Sequence, residues 1–167
     1  MDHDEAETDL HANARAVAAA AAEAGLDVEI REFPEGTRTA DDAASAIGVD
    51  VGQIVKSLIF TVDGEVVVAL VSGPNRLDEA RLASAAGRPG APVGRADAAA
   101  VRDATGYPIG GVPPFAHARA LATFVDEDLL GYEVLWAAAG TPRHVFAVRP
   151  DDLVRASGGT VATLRRG

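Results

Sequence analysis

The clearest hydrophobic pattern in the chain is a pair of apolar runs joined by two residues. Residues 55–62 read VKSLIFTV, residues 65–71 read EVVVALV, and Asp63-Gly64 lies between them. Asp-Gly favours the primed turns that connect antiparallel strands. The pattern therefore predicts a β-hairpin, and the near-continuous apolar runs indicate that neither strand has a fully solvated face.

Helical and extended patterns alternate along the rest of the chain. An alanine-rich segment predicts a helix over residues 9–24, ended by Gly25. Residues 26–33 alternate apolar and polar side chains and predict a strand, which a turn at residues 34–36 follows. Further helices are predicted at residues 39–48, 77–86 and 97–104 and from residue 151, and further strands at residues 120–125, 133–138, 144–148 and 161–164.

The order of these elements favours an α+β fold. Strands outnumber long helices and lie next to each other in the sequence, which is typical of a mixed, largely antiparallel, barrel-like β-sheet with surrounding helices. The 167 residues suit one compact domain. We therefore assign residues 9–167 to a single domain and residues 1–8 to a flexible acidic leader.

Charge is unevenly distributed, although the formal net charge is −10. Residues 1–72 hold 15 acidic and four basic residues, whereas residues 73–119 hold four acidic and six basic ones. Only this middle third has the charge to attract a polyanion. The acidic N-terminus differs from a signal peptide, and no apolar run is long enough to cross a membrane, so we expect a cytoplasmic protein.

The absence of cysteine excludes several kinds of chemistry. Disulfides, thiolate nucleophiles and cysteine metal sites all require that residue. The four histidines lack the spacing of a helical zinc site, so we expect neither a metal nor a cofactor.

Lys56 is the only lysine among 15 basic residues. Alternation places it on the same face of the first hairpin strand as Leu58 and Phe60. A lysine there reaches the edge of the sheet, pairs with an acid or lines a cavity, and burial lowers its pKa. Arginine remains charged in any of these settings, whereas lysine does not. We take Lys56 as the candidate catalytic residue, the alternative being a strand-end lysine that reaches solvent.

A glycine- and proline-rich loop at residues 105–115 is the second candidate site. Gly110 and Gly111 permit close backbone approach to a ligand, and prolines such as Pro113 stiffen the loop. Successive amides there are able to form an anion nest or oxyanion hole. The alternative is an ordinary rigid turn.

Four further residues are weaker candidates for ligand binding. Ala138 and Gly140 belong to a small-residue run that leaves room for a neighbouring strand or a small ligand. His144 follows that turn and is a candidate proton carrier. Phe33 ends its predicted strand beside a turn, where it can wall a pocket, although Phe33 and Trp136 are most simply core aromatics.

Together these segments resemble the YbaK/EbsC family of aminoacyl-tRNA deacylases, which is related to the editing domain of bacterial prolyl-tRNA synthetase. The resemblance covers roughly residues 26–157. The segments that carry it are AIGV at residues 46–49, IVKSLIF at 54–60, TGYPIGGVPP at 105–114, Ala139-Gly140, and PDDL at 150–153. Each is unspecific alone, but the ordered set is specific.

The resemblance implies a trans-editing deacylase that hydrolyses the ester of a mischarged tRNA. It implies that Lys56 is required for activity, that Gly110 and Gly111 supply backbone donors near the ester, and that Phe33 lines the pocket. The partners implied are the acceptor end of the tRNA and an aminoacyl-tRNA synthetase. Some members of the family have serine at the position of Ala138, so alanyl- and seryl-tRNA are as plausible as cysteinyl-tRNA(Pro).

Two alternatives stay open from the sequence. One is a non-catalytic binding module that retains the editing fold, and the other is a hydrolase of a different small ester. For the deacylase, we expect Lys56 to hold the terminal phosphate or ribose, while the free ribose hydroxyl assists the attacking water.

Overall fold

The computed structural model describes residues 2–34 and 39–167, and the side chains of these residues from Ala12 onwards. Within them lie five α-helices, α1 (Asp2–Glu23), α2 (Ala40–Ile47), α3 (Glu79–Ala85), α4 (Ala98–Thr105) and α5 (Pro150–Ser157). The strands are β1 (Ile30–Glu32), β2 (Val55–Val62), β3 (Glu65–Ser72), β4 (Val93–Arg95), β5 (Ala122–Asp126), β6 (Leu135–Ala138), β7 (His144–Val148) and β8 (Thr160–Ala162). Short 3₁₀ helices span Val51–Gln53 and Glu127–Gly131.

The α+β class with largely antiparallel strands is confirmed, and the barrel-like arrangement consists of two open sheets rather than one closed barrel. The strands form two sheets, one in the order β1-β7-β6 and one in the order β4-β2-β3-β5-β8. β5 runs parallel to both β3 and β8, and the other strand pairs are antiparallel. The sheet therefore stays open, because a closed barrel needs each strand to be paired on both edges.

The hairpin follows its sequence signal closely. Asp63 and Gly64 both have positive φ, at 52° and 82°, which is the backbone of a type I′ turn. β2 pairs with β3 along its whole length, and Lys56 lies opposite Val71. This register confirms that Lys56, Leu58 and Phe60 share a face.

Elsewhere the boundaries differ from those predicted. α1 begins at Asp2 rather than at residue 9, so it includes most of the segment assigned to the leader. β1 has three residues instead of eight, because it pairs with β7 only from Ile30 to Glu32. β4 was not predicted at all. The turn expected at residues 34–36 lies largely outside the described residues.

The main core lies between the two sheets. Val68, Leu70 and Val125 of the larger sheet are fully buried, as is Phe146 of the smaller one. Side chains of α1 and α5 close this layer, including Val17 and Leu153. The opposite face of the larger sheet packs on α3 through Leu82 and its neighbours.

Among the described residues, no strand pairs with the outer edge of the first half of β2. β4 pairs with β2 only at Phe60, Thr61 and Val62. At the other end, Ile54 makes a single bridge to Trp136 of β6. Residues 55–58 therefore lie beside a gap between the two sheets, and this gap is the site described next. None of the helices in the described residues combines the length and apolar character needed to cross a membrane.

Candidate functional site

A cavity of about 440 Å³ fills the gap beside residues 55–58. Its size falls in the range of small-molecule sites, roughly 300–1,000 Å³. Its walls come from α2, β2, the loop after β3, the loop at residues 107–114, β6 and β7. The lining residues that carry the argument below are Asp41, Lys56, Ser57, Gly110, Trp136 and Ala138.

Lys56 is half-buried in this cavity and held at its nitrogen. Its Nζ donates a hydrogen bond to the backbone carbonyl of Asn75 at 2.6 Å. Burial is the main cause that lowers the pKa of Lys56 below its usual 10.5. Arg95 and Arg76 lower this pKa further by repulsion, while Asp126 opposes them. The cavity therefore contains an ammonium group that is partly desolvated and fixed in direction.

Gly110 brings backbone to the cavity in a conformation that favours glycine. It lies in the cavity wall with φ of 88°, where a side chain would be strained. Its N–H makes no hydrogen bond to any residue the structure describes. The neighbouring Gly111 N–H donates to Pro108 O at 3.0 Å. Of the two amides expected to bind a ligand, only that of Gly110 is therefore available.

Gly111 has a packing role. A Cβ on Gly111 would lie 2.7 Å from the Cα of Thr141, closer than real Cβ contacts allow. The loop at residues 107–114 thus packs its backbone directly against the turn that follows β6. This contact places the Gly110 amide and Ala138 in the wall of one cavity.

Small residues set the size of the cavity. Ala40, Ala43 and Ala138 contribute only methyl groups to its walls. Gly73 also lines it, and a Cβ there would lie 2.1 Å from the carbonyl oxygen of Val51. Ala138, from the small-residue segment predicted to leave room for a neighbouring strand or a small ligand, therefore lines open space in this cavity.

Three predicted residues are near the cavity without lining it. Phe33 lies behind Arg31, whose guanidinium is 5.2 Å from the Phe33 ring and 5.4 Å from the Trp136 ring. Pro113 is buried, and its carbonyl accepts a hydrogen bond from His117 Nε2 at 2.7 Å. Gly140 is packed against Asn13, which donates to its carbonyl at 3.0 Å.

The bond to Pro113 bears on the charge of His117. Burial lowers the pKa of His117 below 6.5, and the hydrogen bond to Pro113 opposes that effect only partly. The neutral form of the ring is therefore favoured at neutral pH, and its hydrogen bond to Pro113 stabilises the loop.

His144 lines a different cavity. It is buried, its Nδ1 lies 2.6 Å from Thr141 Oγ1, and its Nε2 lies 3.4 Å from the Glu32 carboxylate. This second cavity, of about 370 Å³, lies between α1 and β1. The next residue, Val145, lines the Lys56 cavity. The structure therefore does not bring His144 together with Lys56.

Two residues that line the cavity were not among the predicted site residues. Ser57 Oγ is buried and has no hydrogen-bond partner among the described residues. It lines both the Lys56 cavity and a smaller adjoining one of about 80 Å³. Trp136, taken as a core aromatic, does pack against a small core cluster around Ile54, and it also lines the larger cavity. Alternation placed Ser57 and Lys56 on opposite faces, but both reach the cavity because the strand edge itself borders it.

The smaller cavity has a basic rim. Arg95 lines it, and its guanidinium lies 5.7 Å from the Phe60 ring. Ile109 lies between the two cavities and is 60% exposed. Arg81, Arg88 and Arg119 each pair with an acid, whereas Arg95 forms no ion pair with the described residues.

The described residues contain no group of three or more histidine, aspartate or glutamate side chains placed to hold a metal ion. Among the described residues that line the cavity, the polar groups available for chemistry are the Lys56 ammonium, the Gly110 amide, the Thr39 and Ser57 hydroxyls, the Trp136 indole and the Asp41 carboxylate.

Comparison with known proteins identifies the family of the chain. Residues 34–156 match the model of the aminoacyl-tRNA editing domain. The proline–tRNA ligase of Maridesulfovibrio salexigens is 34% identical over 126 residues, which cover 73% of this chain and 21% of the ligase. YwhH of Bacillus subtilis, whose function is uncharacterised, is 28% identical over 126 residues, covering 75% of this chain and 78% of YwhH.

A solved structure of a candidate trans-editing enzyme for prolyl tRNA synthetase superposes with a TM-score of 0.86 at 44% identity. The match covers 93% of this chain and 98% of that one. By contrast, the chain spans about a fifth of the length of the ligase above, 21%. The resemblance first drawn from the lysine strand and the Gly-Gly loop is thus confirmed, and the chain belongs to the aminoacyl-tRNA editing domain family.

Proposed function

We propose that the protein is a trans-editing deacylase, which hydrolyses the ester between a small amino acid and the terminal ribose of a mischarged tRNA. The observation that carries the proposal is the single cavity that holds the Lys56 ammonium, the free Gly110 amide and small side chains such as Ala138. This combination suits an ester that needs to be positioned more than activated.

Lys56 holds the substrate by its ribose or terminal phosphate. The ammonium is fixed by Asn75 O at 2.6 Å, which leaves two of its three hydrogens for a ligand. Fixing the reacting groups in this way converts binding energy into rate. Because the pKa of Lys56 is lowered, its neutral form, which does not bind the substrate's charge, becomes populated as the pH rises. The enzymatic rate, after subtraction of spontaneous ester hydrolysis, should therefore fall at alkaline pH.

The hydrolysis itself uses water. Water attacks the ester carbonyl, and the oxygen that gains charge accepts a hydrogen bond from the Gly110 amide, a donor worth roughly 3 kcal/mol in known oxyanion holes. The proton of the water passes by way of the neighbouring ribose hydroxyl to the departing ribose oxygen. The products are the free amino acid and the uncharged tRNA, and no nucleophile of the protein is consumed.

Asp41 is the residue that we expect to bind the amino group of the substrate. It is the acidic side chain among the described residues that line the cavity. The α-ammonium of an aminoacyl group is the cation that such a carboxylate binds. Lys56 and Asp41 would then recognise the two ends of the aminoacyl-ribose unit, with the side chain facing Ala138.

The size of the walls selects small amino acids. Ala40, Ala43 and Ala138 leave space that a larger side chain at any of them would remove. Discrimination by exclusion is the logic of a second sieve, which cleaves products small enough to enter. Alanine, cysteine and serine esterified to tRNA(Pro) or another tRNA are the substrates to compare.

The partner that this proposal implies is the acceptor end of a tRNA in the cytoplasm. An aminoacyl-tRNA synthetase is a second candidate partner, which would deliver the tRNA. An acidic protein that contacts only a single-stranded end needs few phosphate contacts. Arg95 at the rim, which forms no ion pair with the described residues, is placed to make one of them.

A panel of mischarged tRNAs tests the proposal. Ala-, Cys- and Ser-tRNA(Pro) are incubated with the protein beside cognate Pro-tRNA(Pro) and a simple aryl ester, and release of labelled amino acid is followed over the spontaneous rate. We expect release from at least one mischarged species and little from the other two substrates. Equal rates with and without protein across the tRNA panel would contradict the deacylase, and preference for the aryl ester would indicate a general esterase.

A further inference from the structure

The loop after β3 is attached to a buried carboxylate. Asp126, at the end of β5, has no solvent exposure. Its Oδ2 accepts hydrogen bonds from the Ser72 N–H at 3.1 Å and from Asn75 Nδ2 at 2.8 Å, and its Oδ1 accepts one from the Asp128 N–H at 3.0 Å. Burial of a carboxylate is tolerated only with such donors. Two of the three donors lie where β3 ends, Ser72 as its last residue and Asn75 in the loop that follows.

Asn75 connects this carboxylate to the cavity. Its side-chain amide also donates to Asp128 Oδ2 at 2.8 Å, so both of its amide hydrogens can be engaged. Its backbone carbonyl is the group that accepts the Lys56 Nζ hydrogen bond. Asp128 is held in turn by Arg165 at 3.0 Å. The position of the Lys56 acceptor is thus set by two carboxylates that lie outside the cavity.

The same loop has little freedom to move. Ser72 Oγ donates to Gly52 O at 2.6 Å. Gly73 lies so close to Val51 that a Cβ would be 2.1 Å from its carbonyl oxygen. Contacts at Ser72, Gly73 and Asn75 therefore fix three of four consecutive residues, which is more than a connection between elements needs.

We propose that Asn75 and Asp126 are positioning residues that hold the Lys56 ammonium at its place in the cavity. Neither side chain lines the cavity, so their effect on a substrate passes through the lysine. A lysine has a flexible four-carbon stem and no fixed donor geometry, and a rigid acceptor supplies the direction that the stem lacks. The inference rests on the role given to Lys56 under the proposed function.

The charges around Lys56 predict the direction in which its pKa changes when one of them is removed. Arg95 of β4 and Arg76 of the loop lower the pKa of Lys56, and Asp126 of β5 raises it. Asp41 of α2 is the acid in the same cavity. Removing the charge of Asp126 therefore lowers the pKa of Lys56 further, whereas removing Arg95 raises it.

The single lysine makes a direct experiment possible. Protein grown with ¹³Cε-labelled lysine gives one side-chain signal, from Lys56, which can be titrated without substrate. The variants are Asp126→Asn and Asn75→Ala, where the second keeps the carbonyl that Lys56 contacts. Asp103→Asn, at an 82% exposed carboxylate, is the matched control.

We expect Asp126→Asn to move the Lys56 midpoint to lower pH and Asn75→Ala to shift and broaden the Lys56 signal at neutral pH. Both should lower kcat about tenfold or more with a smaller change in KM, because misplacement of about 1 Å can cost 100-fold. The control should change neither property.

A Lys56 signal and midpoint equal to wild type in folded Asn75→Ala and Asp126→Asn would overturn the inference, even if activity fell. If Asp126→Asn does not fold, Asn75→Ala alone decides. A shifted Lys56 signal in a protein that cleaves no mischarged tRNA would support the positioning role and contradict the proposed function, so the two failures are distinguishable.

Discussion

Two cavities lie on either side of β7, and adjacent residues of that strand face them. Val145 lines the Lys56 cavity, whereas His144 lines the cavity between α1 and β1. Lys56 meets one carbonyl and has hydrogens left for a ligand, while the His144 ring contacts Thr141 and the Glu32 carboxylate. Lys56 thus keeps donors for a ligand beside open space, whereas both ring nitrogens of His144 already lie close to protein groups. A buried titratable group is therefore a stronger candidate for ligand binding where its hydrogen-bonding capacity is not already used by the protein.

The largest effect should come from removing the ammonium. Lys56→Met keeps the length of the stem but removes the charge and the donor, so we expect deacylation to fall by at least about 100-fold, the cost of losing a positioned group. The free energy of unfolding should stay the same or rise, because a partly desolvated charge is removed. Single-turnover deacylation and a denaturant titration measure the two properties. A Lys56→Met protein with wild-type rate would remove the basis for assigning chemistry to this cavity.

The next largest effect on deacylation should come from Gly111→Ala, which pushes the loop at residues 107–114 away from the turn after β6. Gly111→Ala forces a Cβ to 2.7 Å from Thr141 Cα, and we expect a loss of about 1–3 kcal/mol in stability, as for other overpacked sites. Deacylation should fall with it, because the Gly110 amide moves relative to Ala138. Thermal unfolding and kcat are the measurements.

Gly131→Ala is the matched control, since a Cβ there meets nothing within 4 Å. Equal melting temperatures for the two variants would show that the loop is able to relax, contrary to the packing described for Gly111.

His144→Asn tests the other side of β7. Its buried ring supports Thr141, and we expect a loss of about 1–3 kcal/mol, the usual cost of leaving a buried partner unsatisfied. The rate of deacylation at a temperature where the variant is folded should stay within about threefold, less than one kcal/mol in the barrier. A 100-fold loss of kcat without loss of stability would instead indicate that His144 acts on the substrate, as the sequence predicted.

Arg95→Ala tests the basic rim of the Lys56 cavity. If Arg95 binds one phosphate of the tRNA end, the slope of log affinity against log salt should become shallower by about 0.7, the value for one contact to a single strand. Cleavage of an aminoacyl-adenosine without phosphates should stay close to wild type. Arg119→Ala, at an exposed arginine paired with Asp103, is the control. An unchanged salt slope would place the phosphate contacts elsewhere.

Ser57→Ala should have the smallest effect. The hydroxyl is buried without a partner among the described residues, so its removal should leave stability unchanged or slightly higher. If a bound substrate satisfies that hydroxyl, KM should rise by roughly two- to tenfold, the value of one net hydrogen bond. KM and the unfolding midpoint, measured on one preparation, separate the two effects. Lower stability with unchanged KM would indicate a structural hydroxyl.

Local signals explain which parts of the fold were predictable. The β2–β3 hairpin depends on two adjoining apolar runs and the Asp-Gly turn, and its bounds were predicted almost to the residue. β4 has no such signal, because its three residues include Gly94 and its pairing partner lies more than 30 positions earlier in the sequence. The division of the strands into two open sheets likewise depends on pairings between distant residues, which no short segment of the sequence indicates.

The site divides in the same way. Lys56 and Gly110 were predicted as site residues from local features, a lone lysine in an apolar strand and a glycine pair in a stiff loop, and both line the same cavity. Asn75 and Asp126 carry no such feature, since their contact joins residues 51 positions apart. His144 lines a different cavity from Lys56, which the sequence could not show because alternation gives the face of a strand but not the cavity that this face borders.

The unpaired half of β2 has a consequence beyond substrate binding. A bare strand edge is a template for adding a strand from another molecule, and proteins usually protect such edges with charge, bulges or a covering segment. Here Lys56 supplies charge on that stretch, while α2 and the loop carrying Ile109 border the space beside it. A molecule that fills this space and a foreign strand would therefore exclude each other, and ligand binding should also protect the chain against self-association.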